Sequence, residues 1–89
     1  MIRRKVKIQN SLGLHARAAA RFVHTAARYE AKITAGREGR VMDGKSILGI
    51  LLLGASRGTT IEITAEGIDE EAAVEALVAL VKDRFGEEA

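Results

Sequence analysis

His15 is the residue of this chain best placed to do chemistry. It falls between the segment Gln9-Asn10-Ser11-Leu12-Gly13, which reads as a loop, and an Ala-rich stretch that reads as helix; Ala16 and Arg17 follow it. A helix start presents backbone N–H groups without helical partners, together with the positive end of the dipole, so it attracts anions. An imidazole set there can become the covalent acceptor of a phosphoryl group. The anion would then be held by backbone N–H groups, that of Ala16 among them, and by the Arg17 guanidinium. Gly13 permits a tight backbone path that keeps the ring accessible. A plainer role fits the same residues: an exposed histidine that only caps the helix. Spacing alone leaves both open.

The other candidates are weaker. His24 lies nine residues beyond His15, about two and a half turns, so it points away from His15. The two cannot share a metal, and there is no Cys to complete a ligand set. No metal or cofactor is expected. Glu70-Glu71 suits the first turn of a helix and does not form a catalytic dyad. The segment Ile47-Leu48-Gly49-Ile50-Leu51-Leu52-Leu53 has no polar residue. A two-turn helix on a small domain cannot be buried all round, so part of Ile47, Leu48, Leu51 and Leu52 should be exposed as a docking face. The competing possibility is a helix wedged under a loop. Ser46, just before it, is a natural N-cap. A phosphate there would set about two negative charges beside the apolar face.

The elements that position these residues follow from periodicity. Ile2, Val6 and Ile8 alternate with Arg3, Lys5 and Lys7, which predicts a half-buried strand with Arg4 as a misfit on the inner face. A helix over 16–28 carries Ala19, Phe22, Val23 and Ala26 as its apolar stripe. Residues 31–35 and 40–42 read as a hairpin turning through Gly36-Arg37-Glu38-Gly39. The short helix over 47–53 ends at Gly54. Residues 60–66 alternate without fault, with Ile61, Ile63 and Ala65 inward. Asp69 is expected to cap a last helix whose stripe is Val74, Leu77, Val78, Val81 and Phe85, closed by Gly86. The order β-α-β-β-α-β-α predicts an α+β open-faced sandwich, a four-stranded antiparallel sheet with three helices on one face.

With 89 residues the chain is expected to form a single domain spanning 1–89. Its 47% apolar and 29% charged residues exclude a disordered or collagen-like chain. Without Cys there is neither a disulfide framework nor a thiol nucleophile, which suits a reducing cytoplasm. No apolar run reaches the roughly 20 residues of a membrane span, and Met1-Ile2-Arg3-Arg4-Lys5 lacks the apolar region of a signal peptide. Net charge is +2, yet residues 1–29 hold seven basic side chains and no acid, whereas residues 61–89 hold nine acids against Lys82 and Arg84. This polarity suits either a binding face or a solvated surface.

Gly13-Leu14-His15-Ala16-Arg17-Ala18-Ala19 resembles the phosphohistidine motif of the HPr family, the small phosphocarriers of the bacterial phosphoenolpyruvate-dependent sugar phosphotransferase system. Lys45-Ser46-Ile47-Leu48-Gly49-Ile50 resembles the family's second motif, around its regulatory serine. Both occur in order at the family's spacing, and the resemblance covers essentially the whole chain. It implies that His15 takes the phosphoryl group from the phosphohistidine of enzyme I and passes it to a histidine of a IIA domain. It implies that Arg17 neutralises that group and that Ser46 is the target of an HPr serine kinase/phosphorylase. Arg21, Lys45, Ile47, Leu48, Leu51 and Leu52 would meet partners. The protein would be a cytoplasmic monomer and a carrier, not an enzyme in its own right. Many family members have Pro where Ala18 stands, so a slightly less constrained helix start is expected. The alternative reading is a purely regulatory HPr-like module in nitrogen or carbon signalling; relatives that lack the histidine serve only as regulators, and His15 argues against that here. A nucleic-acid binder built on Arg3, Lys5 and Lys7 is disfavoured, because Phe22 and Phe85 belong to the expected core and leave no stacking platform.

Overall fold

The computed structural model describes residues 1–89. The elements in chain order are β1 (Ile2–Lys7), α1 (Ala16–Ala26), β2 (Lys32–Arg37), β3 (Arg40–Asp43), α2 (Ile47–Leu52), β4 (Thr60–Glu66) and α3 (Glu70–Lys82). A 3₁₀ turn, Arg84–Gly86, follows α3. The strands form one antiparallel sheet in the order β1-β4-β2-β3. This is the α+β open-faced sandwich expected from the pattern.

The alternation of the strands decides which face is covered. Val6, Ile33, Ala35, Ile61, Ile63 and Ala65 are buried beneath the helices. They join Phe22, Ile50, Leu77, Val81 and Phe85 in one core of 23 residues. Arg4 pairs with Ile63 yet stays exposed. β1 is an edge strand, so a long side chain on its inner face can lead its charge out to water.

Element ends depart from the periodic reading where turns intervene. α1 stops at Ala26, short of the expected Arg28, because Arg28 and Tyr29 N–H turn back to Thr25 and Ala26 carbonyls in a tighter final turn. The hairpin ladder runs through Gly36 and Arg37, which were expected in the turn. The loop is only Glu38-Gly39, both at positive φ (48° and 82°). That is the two-residue geometry whose twist matches the flanking strands. Asp69 stands at the N-cap of α3 but makes no side-chain capping bond. Its carboxylate instead accepts from Glu30 and Ala31 N–H, each at 2.8 Å, and ties the start of β2 to α3. Phe85 is buried as expected, although it lies beyond α3 in a turn where both Arg84 and Phe85 are left-handed (φ 56° and 54°). No helix is long and apolar enough to cross a membrane.

Candidate functional site

The loop before α1 is pinned from below. Gly13 sits at φ 65°, and a Cβ there would lie 2.6 Å from the Ala55 carbonyl oxygen. Only glycine meets both demands. Leu14 N–H donates to that same carbonyl at 2.9 Å. Asn10, the one fully buried polar residue, donates through Nδ2 to the Gly13 carbonyl at 2.8 Å. This scaffold delivers His15 to the N-cap of α1 in an extended conformation (φ −76°, ψ 178°).

The His15 ring does not cap the helix. The first intrahelical bond runs from Ala19 N–H to the His15 carbonyl, so the amides of Ala16, Arg17 and Ala18 precede it and point out of the helix start. The ring turns to the C-terminal segment, where His15 Nε2 lies 2.6 Å from Glu87 Oε2. Glu87 Oε1 accepts a second bond from Asn10 Nδ2 at 3.0 Å. Burial would push the Glu87 carboxyl up, but the hydrogen bonds from His15 and Asn10 and the nearby charges of His15 and Arg21 hold it below the ordinary carboxylate range. Glu87 is therefore ionised and can only accept, so Nε2 carries the proton it is given.

Arg17 is exposed and makes no ion pair within the chain. With Ser11, Leu12, His15, Ala16 and Glu87–Ala89 it lines an open cavity of about 680 Å³. Ala18 is fully buried under the first turn. Arg21, one turn further on, donates through Nη1 to the Phe85 carbonyl. His24 is exposed on the far side of α1.

The second motif lies on α2. Ser46 Oγ accepts from Gly49 N–H at 3.0 Å, the capping bond expected of it. Ile47, Leu48 and Leu52 are exposed, Leu48 by 66%, whereas Ile50 and Leu53 are buried. Leu51 packs against the core and is only partly exposed, so the open apolar face is narrower than four residues. Lys45 Nζ donates to the Tyr29 carbonyl at 2.6 Å. Asn10 and Glu87 were not singled out from the sequence. The bonds from His15 and Asn10 to Glu87 span more than 70 residues, and neither Asn10 nor Glu87 sits in a recognisable local pattern.

A family model described as the PTS HPr component phosphorylation site matches residues 2–83. The phosphocarrier protein HPr of Cupriavidus necator is 42% identical over 87 residues, covering 98% of each chain. The crystal structure of HPr-C-His from Thermoanaerobacter tengcongensis covers both chains fully at 44% identity, with a TM-score of 0.96. A crystal structure of an HPr dimer from the same organism is 45% identical, covers 92% of this chain and 94% of that one, and has a TM-score of 0.79. The match in sequence and in fold runs along nearly the whole chain, and it belongs to the HPr family of phosphotransferase-system phosphocarriers.

Proposed function

We propose that His15 accepts a phosphoryl group from the phosphohistidine of enzyme I and passes it to a histidine of a IIA domain. The observation that carries this reading is the His15 ring, free of capping duty at the start of α1 and opening on the groove that Arg17 lines. In the transfer, a phosphorus–nitrogen bond forms at His15 as the donor's phosphorus–nitrogen bond breaks. The electron pair returns to the donor imidazole. Passage to the IIA histidine is the same exchange run onward. The helix-start amides and Arg17 meet the anion, and charge-assisted contacts of this kind are worth about 1.5–3 kcal/mol each.

Ser46 is a second, regulatory site for an ATP-dependent serine kinase. Its hydroxyl heads the helix that exposes Ile47, Leu48 and Leu52. A phosphate there adds charge to the face through which enzyme I and IIA domains dock, and Arg17, Arg21 and Lys45 would meet the same partners. The protein acts in the cytoplasm as a single 1–89 domain and a monomer. Sedimentation at working concentrations checks the monomer.

The decisive experiment is incubation with labelled phosphoenolpyruvate and enzyme I. Acid-labile, base-stable label is expected on the wild type and none on His15→Ala. A fully labelled His15→Ala protein would end this reading. A wild type that takes only acid-stable label from ATP on Ser46 would select the purely regulatory module.

A further inference from the structure

We infer that Glu87 is a positioning residue for phosphoryl acceptance: it binds the His15 Nε2–H and so leaves the lone pair on Nδ1. The inference rests on the carrier reading above and deepens it. A neutral imidazole holds one proton on two nitrogens, and the partner of one nitrogen decides which of them is nucleophilic. Glu87 Oε2 sits 2.6 Å from Nε2, and an ionised carboxylate offers no proton, so the ring must donate. The same logic holds where a carboxylate orients a histidine beside another nucleophile.

The carboxylate is itself held. Its other oxygen takes Asn10 Nδ2 at 3.0 Å, and the second Asn10 Nδ2 proton is taken by the Gly13 carbonyl at 2.8 Å. The backbone route to Glu87 is strained. Arg84 and Phe85 are both left-handed, although neither is glycine. Such geometry persists only where the surroundings impose it, and it gathers at functional sites. Here the buried Phe85 ring and the Arg21 bond to the Phe85 carbonyl impose it, and the chain emerges with Glu87 against His15.

The chemistry balances with no further reactant. The Nδ1 lone pair forms the bond to phosphorus, and the donor's bond to phosphorus breaks with its pair going to the donor nitrogen. The Nε2 proton stays in place throughout. The phosphorylated ring is then cationic, and Glu87 already faces its N–H. When the phosphoryl group leaves, the lone pair returns to Nδ1.

Replacing Glu87 separates this role from mere packing. Gln has one acceptor oxygen where Glu has two. Asn10, pinned by the Gly13 carbonyl, takes that oxygen, so the Gln amide N–H₂ faces Nε2 and favours the tautomer with the lone pair there. Ring ¹⁵N spectra of the neutral imidazole are recorded for wild type, Glu87→Gln and Glu87→Ala. The wild type is expected to show protonated Nε2 and unprotonated Nδ1. Glu87→Gln should reverse the pair, and Glu87→Ala should give averaged shifts. Transfer from phospho-enzyme I should slow about tenfold in Glu87→Ala, more in Glu87→Gln, and recover in part in Glu87→Asp. Identical ring spectra in all three proteins would overturn the inference, as would reversed spectra with unchanged transfer rates. A wild type that shows protonated Nε2 but takes no phosphoryl group would overturn the carrier reading and leave the tautomer assignment standing.

Discussion

At the scale of single residues, His15 and Arg17 have different proposed roles, and substitution separates them. Arg17 is exposed and bonds to nothing in the chain, so Arg17→Ala should change folding stability by no more than about 0.5 kcal/mol. In the proposed carrier its contact exists only when a phosphoryl group is present or in transit. Losing about 1.5–3 kcal/mol there predicts transfer slowed roughly ten- to hundredfold in both directions. Rapid-quench kinetics beside a thermal melt measures both quantities, and transfer within twofold of wild type counts against the role. His15 and Arg17 were legible in the sequence because they share one helix start. Asn10 and Glu87 were not, because the bonds of Asn10 and His15 to Glu87 depend on a left-handed turn at Arg84 and Phe85. Those are not residue types that announce positive φ, so no local signal points from Glu87 to His15.

At the scale of elements, α2 is an apolar helix that sets Ile50 in the core and leaves Ile47, Leu48 and Leu52 exposed. Six residues without a polar side chain could not reveal which faced inward, and the expectation of exposure held for Ile47, Leu48 and Leu52 but only partly for Leu51. Two features anchor it. Ser46 caps the start. At the end, Arg37 and Arg40 reach from the β2–β3 hairpin to the Leu53 and Leu52 carbonyls, each at 3.1 Å. The sequence placed Ser46 but not the arginines, since capping across elements has no fixed spacing. Ile50→Ala, in the core, should cost about 2–5 kcal/mol in urea unfolding. Leu48→Glu should fold with stability near wild type, since Leu48 is exposed. Ser46→Asp keeps an oxygen at the N-cap and should also fold. By calorimetry its affinity for enzyme I should drop, and part of that loss should vanish at 1 M salt, where the Debye length is about 3 Å. An unfolded Leu48→Glu, together with full affinity for Ser46→Asp, would return α2 to the core and remove the docking face.

At the scale of the whole molecule, three carboxylates tie together parts of the chain that are distant in sequence, and their protonation should set its acid limit. Asp69 is held below the ordinary carboxylate range chiefly by the Glu30 N–H and also by Ala31 N–H and the Lys45 charge, against a smaller opposing effect of burial. It joins α3 to the entry of β2. Glu70 is lowered by its bond from Gly67 N–H and by the Met1 ammonium, which lies 2.9 Å from its Oε2. Glu87 is lowered, despite burial, by His15 and Asn10. A carboxyl whose folded value lies below its unfolded one adds stability above the unfolded value, here near 3.8 for Asp69 and 4.5 for the two glutamates. That stability is lost as pH falls through the folded value, because the unfolded chain then binds the proton more readily. The domain should therefore hold its urea midpoint from neutral pH to about 5 and lose stability steadily below about 4. Asp69→Asn tests the assignment most cleanly. Asn keeps one of the two oxygens that accept from Glu30 and Ala31 N–H, cannot ionise, and sits away from the His15 site. The variant should be less stable than wild type at pH 7, and the gap should narrow as pH falls through the folded value of Asp69, where the wild-type carboxyl takes up its proton. A stability difference that stays constant from pH 7 to pH 2 would show that Asp69 acts through shape alone and that the acid limit lies with other groups.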